Sequence, residues 1–167
     1  MRAKKITLLA ILVSQAMVLS FFERFLPLSF AVPGAKLGLA NIVTLIALKK
    51  LNLKETFLVV ITRVILSSFM FGSLSSLIYS LFGAVLAMSV MAIAMKLFSK
   101  NISIYGISIL GAVFHNVGQI LAASLVLDSI NIFYYLPMLL IAAIPTGFLI
   151  GLLSKYLLKY LDTHIHN

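Results

Sequence analysis

Lys36, Asn41, Arg63, Ser67, His115 and Gln119 are the side chains that could do chemistry here, because each stands inside or at the edge of a long apolar run. A charge near the centre of a bilayer costs about 2.5–3.5 kcal/mol on insertion scales, so such groups face a protein interior or a watery cavity. Arg63 is flanked by Val59, Val60, Ile61, Val64 and Ile65, too deep for an easy snorkel. Its planar guanidinium would offer a fork of donors to a carboxylate, a phosphate or a quinone-like oxygen. Lys36 would add a mobile charge, Asn41 and Gln119 orienting hydrogen bonds, and His115 a group that donates or accepts. A blander reading stands beside this one. Lys36 at a helix end would reach the headgroups, Arg63 would pair with Glu23 or Asp128 from the outer surface, and His115, Asn116 and Gln119 would bond between helices.

Helical spacing groups these residues. Thr56, Arg63 and Ser67, seven and four positions apart, fall near one face and give their helix a polar stripe toward the bundle interior. His115 and Gln119 are one turn apart and share a face with Gly111, whereas Asn116 points about 100° away, toward a neighbouring helix.

The elements that must position these groups are membrane helices. Of 167 residues 62% are hydrophobic and 10% charged, and the mean hydropathy is +1.16, values foreign to a soluble domain. The pattern predicts an all-α integral membrane protein forming a single domain over residues 1–167, with six transmembrane helices near 6–22, 33–48, 55–71, 74–98, 104–127 and 132–161. The second is short for a full span, and the stretch from Leu26-Pro27 to Pro33-Gly34 reads as an outer loop, a lid or a passive connection. Pro137 and Pro145 are expected to bend the sixth. The first helix is longer than a signal-peptide core and is expected to be retained.

The net charge of +9 reports topology. Arg2, Lys4, Lys5, Lys49, Lys50, Lys54, Lys96, Lys100, Lys155 and Lys159 sit at the ends of apolar segments, which puts both termini in the cytoplasm. No soluble basic face with interleaved aromatics exists for nucleic acid. Small-residue pairs at Ala10 and Ser14, Gly34 and Gly38, Gly83 and Ala87, and Gly147 and Gly151 would let helices approach closely.

Much chemistry is missing. The chain has four acids and no cysteine, so it lacks the clustered aspartates that hold magnesium on a diphosphate, and thiol chemistry is excluded. There is no phosphate-binding glycine loop, no zinc-protease motif and no nucleophile triad. His164 and His166 read as a polar tail. Neither a metal nor another cofactor is expected, and any ATP used must be bound by another subunit.

Three ordered motifs, Pro33-Gly34-Ala35-Lys36-Leu37-Gly38-Leu39-Ala40-Asn41-Ile42-Val43-Thr44-Leu45, Thr62-Arg63-Val64-Ile65 through Phe71-Gly72-Ser73, and Gly111-Ala112-Val113-Phe114-His115-Asn116-Val117-Gly118-Gln119, together resemble the Gx transporter family, often labelled heptaprenyl diphosphate synthase component I. The resemblance implies a six-helix bundle similar to the substrate-binding S components of energy-coupling factor transporters. Those proteins capture a small solute and associate with a coupling transmembrane subunit and two ATPase subunits. By the same resemblance Ala10 and Ser14 fall where S components carry a small-residue docking surface, with serine in place of the second alanine. The enzyme label implies an alternative, a non-catalytic membrane accessory of heptaprenyl diphosphate or menaquinone biosynthesis.

Overall fold

Three of the helices begin where a polar side chain can take up an orphan backbone N–H. Asn52 Oδ1 accepts from Glu55 N at 2.9 Å while Asn52 N donates to Glu55 Oε2 at 3.3 Å, a reciprocal capping box. Ser73 Oγ accepts from Ser76 N at 3.2 Å, and Ser103 Oγ from Gly106 N at 3.1 Å. The structure is a computed structural model that describes residues 2–23, 25, 38–98 and 102–165. Its elements are α1 (Arg2–Glu23), α2 (Asn41–Lys50), α3 (Leu53–Phe71), α4 (Leu74–Leu97), α5 (Ile104–Val126), a short 3-10 helix (Ile130–Tyr135) and α6 (Leu136–Ile165). No strand occurs among the described residues, and the protein is an all-helical membrane bundle.

Four helical stretches are long and apolar enough to cross a membrane: Lys5–Glu23, Leu74–Leu97, Ile104–Val126 and Ile130–Thr163. The expected second helix departs from its sequence reading. Gly38, Leu39 and Ala40 are not helical, and α2 starts at Asn41 and runs for 10 residues. At 1.5 Å per residue that is about 15 Å, half of a hydrocarbon core of about 30 Å. Asn41 through Ala47 are all buried, so α2 is wrapped by its neighbours rather than set against lipid. The pairing of Gly34 with Gly38 as a helical small-residue motif fails for the same reason, since Gly38 precedes the helix and Gly34 lies outside the described residues.

The sixth helix is corrected too. Residues 130–135 form the 3-10 helix, and Pro137 sits in the first turn of α6, where its missing N–H disrupts nothing; only Pro145 lies inside the helix.

α5 is the hub, packed against both α4 and α6. A Cβ on Gly118 would stand 2.7 Å from the Phe82 carbonyl oxygen, and one on Gly147 2.6 Å from the Ile109 Cα, so backbones touch where the side chain is absent. α1 and α3 run side by side in the same direction, with Lys5 paired to Glu55 at one end and the Phe21 and Phe71 rings 5.2 Å apart at the other. Lys50 of α2 pairs with Asp162 of α6, which fixes one polar end of the bundle where α1, α2, α3 and α6 meet.

Candidate functional site: a buried polar layer at the mouth of α2

Because α2 spans only half the bundle, its first residue comes level with the middle of α3. There Arg63 Nη2 donates to Asn41 Oδ1 at 3.4 Å, with Arg63 4% and Asn41 1% exposed. The irregular backbone before α2 is tolerated at such depth only when enclosed by protein or lining a cavity, and Gly38 and Ala40 are indeed buried. The turn closes on itself, with Asn41 N donating to Gly38 O at 2.8 Å and Ile42 N to Leu39 O at 3.0 Å.

Gly38 is the pivot. Its φ of +84° is the left-handed region that a side chain disfavours. A Cβ there would meet Asn41 Nδ2 at 2.8 Å and His115 Cδ2 at 3.0 Å, so the turn lies flat against α5. Its N–H donates to the Glu23 carboxylate at the end of α1. Glu23, one of the two acids weighed as a partner for Arg63 from the outer side, is buried, and its charge is felt at Arg63. Asp128, the other acid considered for Arg63, is exposed.

On α5, His115 Nε2 and Gln119 Nε2 are 3.0 Å apart, both side chains buried. α4 comes close because Gly83 lacks a side chain: a Cβ there would touch the His115 carbonyl oxygen at 2.8 Å and Gln119 Cγ at 2.9 Å. Asn116, pointing away from this pair, donates from Nδ2 to the Leu139 carbonyl at 2.9 Å and clamps α5 to α6.

The structure thus brings Asn41, Arg63, His115 and Gln119 into one layer around Gly38. Ser67 is buried on the predicted stripe with Thr56 and Arg63, but its hydroxyl donates to the Val64 carbonyl of its own helix at 3.3 Å. Lys36 lies outside the described residues. Glu23 and Gly38 belong to the layer and are not among the predicted solute-binding residues, although Glu23 was weighed as a partner for Arg63. Thr44, one turn into α2, was missed as well.

Several buried atoms of the layer have no hydrogen-bond partner among the described residues: Arg63 Nε, Asn41 Nδ2 and Thr44 Oγ1. Leaving such a group unmatched inside protein costs about 1–3 kcal/mol, more when charged. Among the described residues no group of three or more His, Cys, Asp and Glu side chains could hold a metal ion.

Ala10 and Ser14 are apart from this layer, exposed on the outer face of α1, where Ser14 Oγ donates to the Ala10 carbonyl at 2.9 Å. Ser14 also borders an apolar groove of about 600 Å³ with Met17, Val18, Phe21, Phe22 and Phe71.

Residues 12–157 match the family described as heptaprenyl diphosphate synthase component I. No curated protein and no solved structure matches the chain.

Proposed function

The chain belongs to the heptaprenyl diphosphate synthase component I family, and from that premise we propose that it is a substrate-binding subunit, similar to an S component, of an ATP-driven importer of the energy-coupling factor type. One observation carries this reading. The buried guanidinium of Arg63 keeps Nε without a partner among the described residues, beside the equally unmatched amide nitrogen of Asn41, at the mouth of a half-span helix. Half-helices that open into the interior of a bundle are a recurrent way of exposing polar backbone and side-chain groups to a transported solute.

The protein sits in the cell membrane with its six helices inserted and both termini on the cytoplasmic side. Support comes from the polar end where Lys5, Lys50, Glu55 and Asp162 gather, as the bias of basic residues toward the cytoplasm requires. The solute is a small molecule whose head accepts hydrogen bonds from Arg63 and Asn41, with His115, Gln119 and Lys36 nearby. A coupling transmembrane subunit docks on α1 at Ala10 and Ser14, and two ATPase subunits supply the energy. The chain itself is not an enzyme, since four acids in all offer no clustered carboxylates for magnesium.

The family's description favours a second reading, in which the protein is a non-catalytic membrane accessory to a prenyl diphosphate synthase. Gentle isolation from native membranes followed by mass spectrometry separates the two. The transport reading expects a coupling membrane subunit and ATPases to come along; recovery of a prenyl synthase without them puts the accessory reading first.

A further inference from the structure

Ser67, Ser89, Ser124 and Thr146 each donate to a carbonyl three or four residues earlier in their own helix, the local way for a hydroxyl to satisfy itself away from water. Ser80 of α4 does not. It is 5% exposed, and its Oγ has no hydrogen-bond partner among the described residues. An unmatched buried hydroxyl weakens a fold, and in native structures such a group has a cause: strain, a working role, or a bound water or ion.

The place of Ser80 in the bundle chooses among these. The His115 imidazole lies between two glycines, since a Cβ on Gly38 would stand 3.0 Å from its Cδ2 and one on Gly83 3.1 Å from its Cε1. Gly83 of α4 is therefore level with the turn before α2. Two-residue connections join α2 to α3 and α3 to α4, and each pair packs side by side, so α2 and α4 run in the same direction. Ala87 of α4 and Leu45 of α2 share one apolar cluster. Ser80 is seven residues before Ala87, two turns back on the same face. Seven residues before Leu45 comes Gly38, ahead of the first residue of α2. Ser80 thus stands past the start of the half-length helix, on the α4 side of the mouth at which Arg63 Nε and Asn41 Nδ2 also lack partners.

We propose that Ser80 is a further solute-contacting residue, whose hydroxyl donates from α4 to the same head group that Arg63 and Asn41 hold from α3 and α2. The inference rests on the reading of this layer as a solute-capture site. It adds a third helix to the grip on the head. A hydroxyl carries no charge, so Ser80 supplies direction and leaves the charge of the head to other groups. Burial without a partner does not by itself mark a contact. Ser108 is as buried and as unmatched, yet it stands two turns along α5 from His115, where a Cβ on Gly151 of α6 would meet its Cβ at 3.2 Å. Ser108 therefore serves as the control.

The full chain, carried from native membranes into native-lipid nanodiscs, is compared as wild type, Ser80→Ala, Ser108→Ala and Arg63→Met, with Asn41→Leu in place of Arg63→Met should the latter not fold. Mass spectrometry of the extracted small molecules identifies any species enriched in the wild type over empty nanodiscs and lost from the Arg63→Met protein. Ser80→Ala should retain about tenfold less of it, the size of one lost hydrogen bond to a polar head, and Ser108→Ala should retain as much as wild type. Thermal unfolding after exhaustive exchange into synthetic lipid, which strips the solute, gives the second readout. There Ser80→Ala should melt at or above the wild-type temperature, because the change removes a hydroxyl that the empty protein leaves unmatched.

Wild-type retention by Ser80→Ala overturns the proposal and leaves the capture reading standing, as the species lost with Arg63 is still there. A lower melting temperature of stripped Ser80→Ala also overturns it, since the hydroxyl would then be holding the fold. Equal loss of the species from Ser80→Ala and Ser108→Ala overturns it as well, because retention would then follow any buried hydroxyl. Absence of any species enriched in the wild type removes the capture reading, and the role of Ser80 goes with it.

Discussion

Gly38 and His115 meet so closely that a Cβ on the glycine would lie 3.0 Å from the imidazole Cδ2. The turn that starts a half-length helix thus rests on the middle of α5, and it does so in a left-handed conformation, φ +84°. Gly38→Ala should therefore lose about 2–4 kcal/mol, from the left-handed backbone together with the displacement of Asn41 and His115. Thermal unfolding in detergent reads this directly. A melting temperature equal to that of wild type would mean that the turn is free to rearrange and does not set the geometry of the layer.

Glu23 and Arg63 should be energetically coupled, because removing one partner leaves the other charge buried without compensation. In a double-mutant cycle, Arg63→Met and Glu23→Gln should each destabilise the protein, and the double variant should be more stable than their sum by about 0.5–3 kcal/mol. Strictly additive losses would place the two charges in separate environments and remove the electrostatic argument for Glu23.

The apolar runs were enough to find α1, α3, α4 and α5 to within a few residues, because each run is as long as the helix it becomes. The 100° offset between His115 and Asn116 was legible for the same reason: helical geometry alone sends one side chain to the layer and the other to α6. What escaped were features decided by tertiary fit. A proline at position 33 suggested a helix start, yet the chain bends at Gly38, where α5 leaves room for nothing larger. Glu23 ends an apolar run, which placed it toward the outer side; only the returning turn, whose Gly38 N–H donates to it, shows why it is enclosed by protein. Pro137 looked like a kink and proved to mark a boundary, a distinction that depends on the 3-10 helix before it.

Asn116 holds helices together and has no place in the polar layer. Asn116→Leu should lose its bond to the Leu139 carbonyl at about 0.6 kcal/mol, the usual size for such bonds between membrane helices. Retention of any co-purifying solute should be unchanged, whereas Gln119→Leu should abolish it. Loss of solute in Asn116→Leu at undiminished stability would move Asn116 into the site.

Two glycines on α5 offer a matched contrast. Gly118 faces backbone, with a Cβ there only 2.8 Å from the Gly83 Cα, whereas a Cβ on Gly106 would meet the flexible Ile102 side chain at 3.2 Å. Gly118→Ala should destabilise by about 1–3 kcal/mol through forced separation of α4 and α5. Gly106→Ala should be neutral or stabilising by up to about 1 kcal/mol, since alanine favours the helix. Equal effects of the two in thermal unfolding would contradict the close approach of α4 and α5.

The docking role proposed for α1 can be separated from any structural one because Ala10 is exposed on the bundle surface. Close approach of a partner helix over Ala10 and Ser14 requires small side chains, so Ala10→Phe should block it while leaving the fold untouched. The expected result is a melting temperature like that of wild type and loss of the co-purifying membrane subunit and ATPases. Leu125→Phe, an equally apolar change at an exposed position of α5, serves as the control and should keep those partners. Partners retained by Ala10→Phe at wild-type levels would move the docking surface elsewhere; partners lost from both variants would mean that bulk anywhere on the lipid-facing surface disrupts the complex, and that the small-residue face of α1 has no special part in it.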